Sequence, residues 1–176
     1  MIDATLLPIG DGLRTLRPLS SRDAERYAAG SQDPLVRKYG HLPEPEYTPE
    51  AVARLADDVV PRHLRAGDLA LLSIVDDAGT FLGSLVLFDV TDSTAEVGFW
   101  LHPDSRGLGH SAAALELAAA LAVRSGLSEM TARTSTSNSS SRRCLERSGF
   151  NRTGIDVGRT PSGEHIELAH YRRHLE

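Results

Sequence analysis

The sequence predicts an α+β protein with a mixed, mostly antiparallel central sheet flanked by helices, and three observations carry that expectation. Apolar, β-branched-rich segments between residues 69 and 101 form a meander of three strands. An alanine-rich helix follows directly, entered through a loop with two glycines. The last third of the chain then alternates strand, helix and hairpin rather than building βαβ repeats.

Each element has a local reason. Leu13 to Leu19 reads as a short edge-type strand stopped by Pro18, and Ser20-Ser21-Arg22-Asp23 offers an N-cap to a helix through about Ala29. Thr48-Pro49-Glu50 combines a cap, a proline at the first helical position and an acid near the positive dipole end. It opens a second helix through Val52, Leu55, Val59 and Leu64 to Gly67. Leu69 to Asp76 and Phe81 to Val90 are strands joined at Asp77-Ala78-Gly79, and Ala95 to Leu101 continues the meander. After His102 to Gly109, Leu108, Ala112, Leu115, Ala119 and Ala122 recur at three-to-four spacing in a helix that Gly126 ends. Met130 to Thr134 is a strand and Ser139 to Ser148 a helix closed by Gly149. Phe150 to Val157 and His165 to Tyr171 form a hairpin around Pro161-Ser162-Gly163. The predicted order is β-α-α-β-β-β-α-β-α-β-β.

Composition narrows the function. With 176 residues, 40% hydrophobic and 24% charged, and neither internal repeat nor linker, the chain is expected to form one domain over residues 1–176. A net charge of -5 repels phosphodiester backbones and anionic lipid, which argues against a nucleic-acid or membrane partner. Cys144 is the single cysteine, so no intrachain disulfide forms, and no apolar run reaches the roughly 18 residues of a membrane span. The first ten residues lack a basic n-region and are broken by Pro8, so a soluble, cytoplasmic protein is expected. Locally the charge reverses: residues 133–152 hold Arg133, Arg142, Arg143, Arg147 and Arg152 against Glu146, a place for a small anion.

The chemistry concentrates between Glu96 and Ser111. A strand leads through Arg106-Gly107-Leu108-Gly109 into a helix N-terminus, where backbone amides and the helix dipole suit a pyrophosphate. Gly107 and Gly109 remove Cβ atoms that would hold phosphate away, and Arg106 could add a charge-assisted bond. A Walker A loop is excluded because no Gly-Lys-Ser/Thr follows the spacer. Gly107-x-Gly109-x-x-Ala112 does match a dinucleotide fingerprint. The acid expected some 20 residues on is replaced by Thr134-Ser135-Thr136, with Glu129 at the wrong end of its strand.

The strand-loop-helix, reading Arg106-Gly107-Leu108-Gly109-His110-Ser111, instead resembles the acyl-CoA-binding core of the GNAT N-acyltransferase superfamily. Asn138-Ser139-Ser140-Ser141, the helix behind it and the closing Gly149-Phe150 resemble the branch of ribosomal-protein N-terminal (RimJ/RimL-type) acetyltransferases. So do Leu16-Arg17-Pro18-Leu19 with Asp23, and Glu96 to Leu101. The resemblance covers nearly the whole chain and implies a GNAT-like fold, acetyl-CoA as cosubstrate and no metal. It implies that the amides of Arg106, Gly107, Leu108, Gly109, His110 and Ser111 hold the pyrophosphate. The strand at Phe99, Trp100 and Leu101, bulged in that family, would bind pantetheine. Asn138 would hydrogen-bond the pantetheine arm, and Ser141 would stand near the sulfur as proton donor. Leu145 occupies the position where many members carry a tyrosine acid, and Ala113 one where the branch often has Glu.

For the base, strand alternation puts Glu96 on one face with Gly98 and Trp100, leading towards the cofactor cleft. His102, His110 and Glu167 are the other candidates. His170 and His174 have helical metal-pair spacing but fall in a predicted strand, and Cys144 is expected to pack inside its helix. The segment Val36 to Pro49, with Tyr39 and Tyr47, is expected over the acceptor mouth. The expected reaction is direct attack of an acceptor amine on the thioester in a ternary complex. A protein or peptide N-terminal α-amine is favoured over a small amine such as a polyamine, amino acid or aminoglycoside. A non-catalytic CoA-binding module is a further alternative, and a homodimer is left open.

Overall fold

The computed structural model describes residues 1–160 and 162–176. Pro161, expected in the last hairpin turn, lies outside them. Eight strands form one sheet: β1 (Ile9–Gly10), β2 (Arg14–Pro18), β3 (Ala70–Asp76), β4 (Phe81–Phe88), β5 (Thr94–Leu101), β6 (Glu129–Ser135), β7 (Asn151–Arg159) and β8 (His165–His174). Their spatial order is β1-β2-β3-β4-β5-β6-β8-β7. Every neighbouring pair is antiparallel except β5 with β6. The sheet class read from the sequence is therefore the one observed. The first predicted strand is not at the edge, because the two-residue β1 covers β2.

The helices are α1 (Ala24–Ser31), α2 (Pro34–Tyr39), α3 (Pro49–Arg54), α4 (Val60–Ala66), α5 (His110–Arg124) and α6 (Ser139–Arg147). The capping signals act as read: Thr48 Oγ1 accepts from Ala51 N at 3.2 Å, and Ser20 with Asp23 forms a reciprocal capping box. Helix α2, which was not expected, starts at Pro34 behind Asp33, whose carboxylate accepts from Leu35 N and Val36 N. A π-helical stretch, Leu55–Val59, joins α3 to α4. Pro61 explains it: the ring has no N–H for an ordinary helical bond and crowds the carbonyl one turn back, so the preceding turn widens.

The sheet separates two apolar clusters. On one face Leu72, Ile74, Leu85, Leu87 and Val97 pack against Leu115, Ala118 and Leu121 of α5 and Leu145 of α6. On the other, Phe81 and Trp100 pack with Tyr27, Ala28, Val52 and Val60 from the helices before β3. Tyr27 and Trp100 meet edge to face at 5.0 Å. Leu145 is 1% exposed, so the position of the missing tyrosine is a core position here.

Candidate active site

The parallel pairing of β5 with β6 lasts three residues, Thr94 to Glu96 opposite Glu129 to Thr131, and then stops. Beyond it the strands part, and Gly98 and Phe99 on one side and Ala132, Arg133 and Thr134 on the other line a single cavity of about 1700 Å³. That is larger than the roughly 300–1,000 Å³ of a single small-ligand pocket, so it has room for two substrates at once. The register of β5 against β4 runs without a shift from Gly83–Leu101 to Phe88–Glu96. The bulge implied by the family resemblance is therefore absent. Parting of the strands, rather than a bulge, leaves the backbone of β5 open towards β6.

Helix α5 supplies the anion end. Gly107 and Gly109 have φ of 78° and 77°, and a Cβ built on either meets nothing within 4 Å. The loop therefore needs glycine for its conformation and keeps an open cradle above it. Gly109 is the N-cap of a 15-residue helix and no side chain caps it, so the first-turn amides and the dipole face the cavity unpartnered. Arg143 and Arg147, one turn apart on the exposed side of α6, line the same cavity and have no ion pair among the described residues. Of the arginine-rich stretch, Arg133 also lines the cavity but is held by Glu96, while Arg142 and Arg152 do not line it. The residues present fit a pyrophosphate.

Several candidate residues have structural partners of their own. The Arg106 side chain pairs with Asp33 and reaches Leu101 O at 3.3 Å, so it ties the loop to α2. The Leu108 side chain is 65% exposed and does not line the cavity, leaving only its backbone for the ligand. Trp100 is 8% exposed and its ring belongs to the aromatic core. His110 accepts from Arg14 Nε at 3.1 Å; burial first, and then that guanidinium, push its pKa down. His102 is buried, caps the turn at Asp104 N, does not line the cavity, and is likewise lowered by burial and Arg26. Glu167 also lies off the cavity, accepting from Thr136 Oγ1 at 2.7 Å.

Glu96 does line it, but in company: Arg133 Nε donates to Oε1 at 2.8 Å and Oε2 at 3.1 Å. One N–H cannot occupy the four lone pairs of a carboxylate, so outward acceptor sites remain. Asn138 Oδ1 accepts from Ser141 N at 3.1 Å, capping α6 and leaving the amide NH2 for another partner. The Ser141 hydroxyl has no hydrogen bond among the described residues and faces the cavity. Cys144, expected to be packed, is half-buried and also reaches the cavity; burial raises its thiol pKa, which keeps it protonated. His170 and His174 each pair with a carboxylate, Asp156 and Glu129, and no metal-binding cluster exists among the described residues.

Helix α2 and the following loop, over 34–47, form the opposite wall through Val36, Tyr39, Leu42 and Tyr47. The Tyr39 hydroxyl reaches Ser137 O at 3.5 Å, and His41 Nδ1 stands 3.2 Å from Glu164 Oε2 without hydrogen-bond alignment. This segment thus bridges the cavity from α2 to the β6–α6 loop and the β7–β8 turn. No helix among the described residues is long and apolar enough to cross a membrane.

Comparison with known proteins agrees with this arrangement. The family model for the acetyltransferase (GNAT) domain matches residues 14–151. Among solved structures, Mycobacterium smegmatis RimJ in complex with CoA-disulfide superposes with a TM-score of 0.81 at 23% identity, covering 99% of this chain and 90% of that one. The acetyl transferase from Salmonella typhimurium that modifies the N-terminal serine of ribosomal protein L7/L12 gives 0.79 at 16% identity, over 94% and 97% of the two chains. Vibrio cholerae spermidine N-acetyltransferase in complex with CoA and spermine gives 0.77 at 16% identity, over 93% and 96%. No curated protein matches in sequence. The parted strands, the uncapped glycine cradle and the family match over most of the chain lead to one conclusion: this chain belongs to the GNAT acetyltransferases, with acetyl-CoA as acyl donor.

Proposed function

We propose that the acceptor is a primary amine, specifically the α-amine of a protein or peptide N-terminus, acetylated by direct attack in a ternary complex. The cavity carries this reading: it runs from the anion cradle of α5 to residues of α2 and α3, which leaves room for donor and acceptor on either side of the β5–β6 opening. The neutral amine forms the new C–N bond at the thioester carbonyl as the C–S bond breaks. Its proton passes to Glu96, directly or through a water, with Arg133 orienting the carboxylate. The open backbone at Phe99 to Leu101 offers donors near the developing oxyanion, and the CoA thiolate takes a proton from Ser141 as that hydroxyl takes one from solvent water in the cavity. Asn138 and the amides from Arg106 to Ser111 hold the donor. The RimJ-like sequence segments and the fold neighbours that act on ribosomal proteins support the N-terminal acceptor.

A small amine is the second reading, favoured by the spermidine acetyltransferase neighbour. Incubation with acetyl-CoA and a panel of peptides and small amines, following free thiol and acetylated product, separates the two. Acetylated peptide supports the proposal. Turnover of small amines alone rejects it, and CoA binding with no turnover leaves a binding module. In a melting assay CoA should raise Tm and NADH should not.

A further inference from the structure

We infer that the acceptor carries an apolar group next to its amine, received in a groove on the sheet face beneath α3 and the π-helical stretch; this rests on the acetyl transfer to amines proposed above. Alternation and register fix the groove floor. Leu71 of β3 pairs with Val86 of β4, which pairs with Gly98 of β5; Phe88 pairs with Glu96 one step along. Leu55 and Val59 face them across the cavity. All of Leu55, Val59, Leu71, Val86 and Phe88 are half-buried rather than packed away, so their apolar surface is accessible from the cavity.

Gly98 is what keeps the floor open. A Cβ there would stand 3.3 Å from Val86 Cγ1 and 3.7 Å from Phe88 Cε1, filling space directly between the parted strands and the apolar wall. Its φ lies outside the left-handed region, so the backbone does not require glycine at this position. The groove also lies beside Glu96, the proposed proton acceptor, on the same sheet face. An amine attacking at the β5–β6 opening therefore projects its substituent onto Gly98, Val86 and Phe88.

Charge argues against a polyamine in the same place. Each buried ammonium needs a carboxylate partner. Glu96, the one acid on this part of the floor, is already held by Arg133, while Glu44, Glu46 and Asp58 are exposed. Arg54 and Arg159 add positive charge to the lining. A polycation finds only Glu96, shared with Arg133, as a counter-charge on the floor and none for its further ammonium groups, whereas a branched aliphatic or aromatic group loses only its contact with water.

The test compares kcat/KM for peptides beginning with Leu, Phe, Ser or Asp, and for 2-phenylethylamine and spermidine. The apolar amines should lead by roughly 10- to 100-fold, the scale on which apolar pockets discriminate. Peptides against 2-phenylethylamine tells which source of the apolar amine is used. Val86→Phe should remove that advantage while the CoA-induced rise in Tm persists, and Leu55→Ala offers an independent change from the helix side. Equal or faster turnover of spermidine or the Ser and Asp peptides overturns the inference while leaving acetyl transfer intact. No turnover of any amine despite CoA binding overturns the parent reading and the inference with it.

Discussion

Arg106 and Asp33 form an ion pair that joins the two halves of the site: the same Asp33 carboxylate caps α2 through Leu35 N and Val36 N, and the same Arg106 opens the glycine cradle. Arg106 holds the Asp33 carboxyl below its ordinary pKa, ahead of the opposing effect of burial and the help of the Val36 amide. Asp33→Ala should cost about 1 kcal/mol through the lost cap. It should also raise KM for both acetyl-CoA and acceptor, although Asp33 itself does not line the cavity. A rise confined to one substrate in steady-state kinetics would show that the pair does not couple them.

Gly109→Val should weaken CoA binding at least tenfold, measured by calorimetric titration, because a β-branched residue resists a φ of 77° and its side chain enters the cradle. Far-ultraviolet circular dichroism should stay unchanged, since nothing packs against that position. Undiminished affinity would move the pyrophosphate elsewhere.

Ser141→Ala should lower kcat by about 100-fold or more while acetyl-CoA binding changes little, the pattern of a proton donor that acts late. Asn138 still caps the helix in this variant, because the bond runs to the Ser141 backbone N–H. A normal kcat would assign the thiolate proton to solvent.

For the base, Glu96→Gln should lower kcat/KM by roughly 100- to 10,000-fold and flatten its rise with pH. Arg133→Met, which frees the carboxylate but leaves it unoriented, should produce a smaller loss and keep the pH dependence. A Glu96→Gln enzyme within about threefold of wild type at every pH would remove Glu96 from the chemistry. His102 and Glu167 could not replace it, because neither lines the cavity.

Asp23 ties α1 to the sheet. Its carboxylate accepts from Arg17 at 2.8 Å through both oxygens, from Ser73 Oγ at 2.6 Å and from Ser20 N at 3.1 Å. Burial alone would raise its pKa; Arg17, Ser73 and the Ser20 amide outweigh that and hold it below the ordinary value. A carboxyl depressed in the folded state contributes stability above the unfolded pKa near 4 and loses it as pH falls through the folded pKa. Asp23→Asn should therefore cost about 1–3 kcal/mol at neutral pH in urea unfolding, and the difference from wild type should shrink below about pH 4.

Legibility of the chain followed the range of the forces involved. The caps at Thr48 and Ser20, the Asp77 to Gly79 turn and the α5 periodicity act within a few residues, so the sequence reads them directly. Helix α2 was hidden because its signal, Asp33-Pro34, opens only six residues. The π-helical turn follows from Pro61 but looks like an uninterrupted helix in the spacing of Val52, Leu55 and Val59. The partners of Arg106, Arg14 and Glu96 lie 73, 96 and 37 positions away, so a motif names the residue without saying what it holds. Gly107 and Gly109 are readable because backbone conformation decides their place, whereas nothing local to Trp100 or Leu108 tells that one ring joins the aromatic core and the other side chain is exposed.

The widened turn before Pro61 also bears on how this scaffold could acquire new acceptors. Leu55 and Val59 owe their placement over the groove to a proline that touches no substrate. A change at Pro61 that restored ordinary helical winding would rotate that entire wall by a fraction of a turn relative to Val86 and Phe88. Acceptor choice could then drift through a single replacement behind the helix, while the strands, the cradle and the donor site stayed untouched.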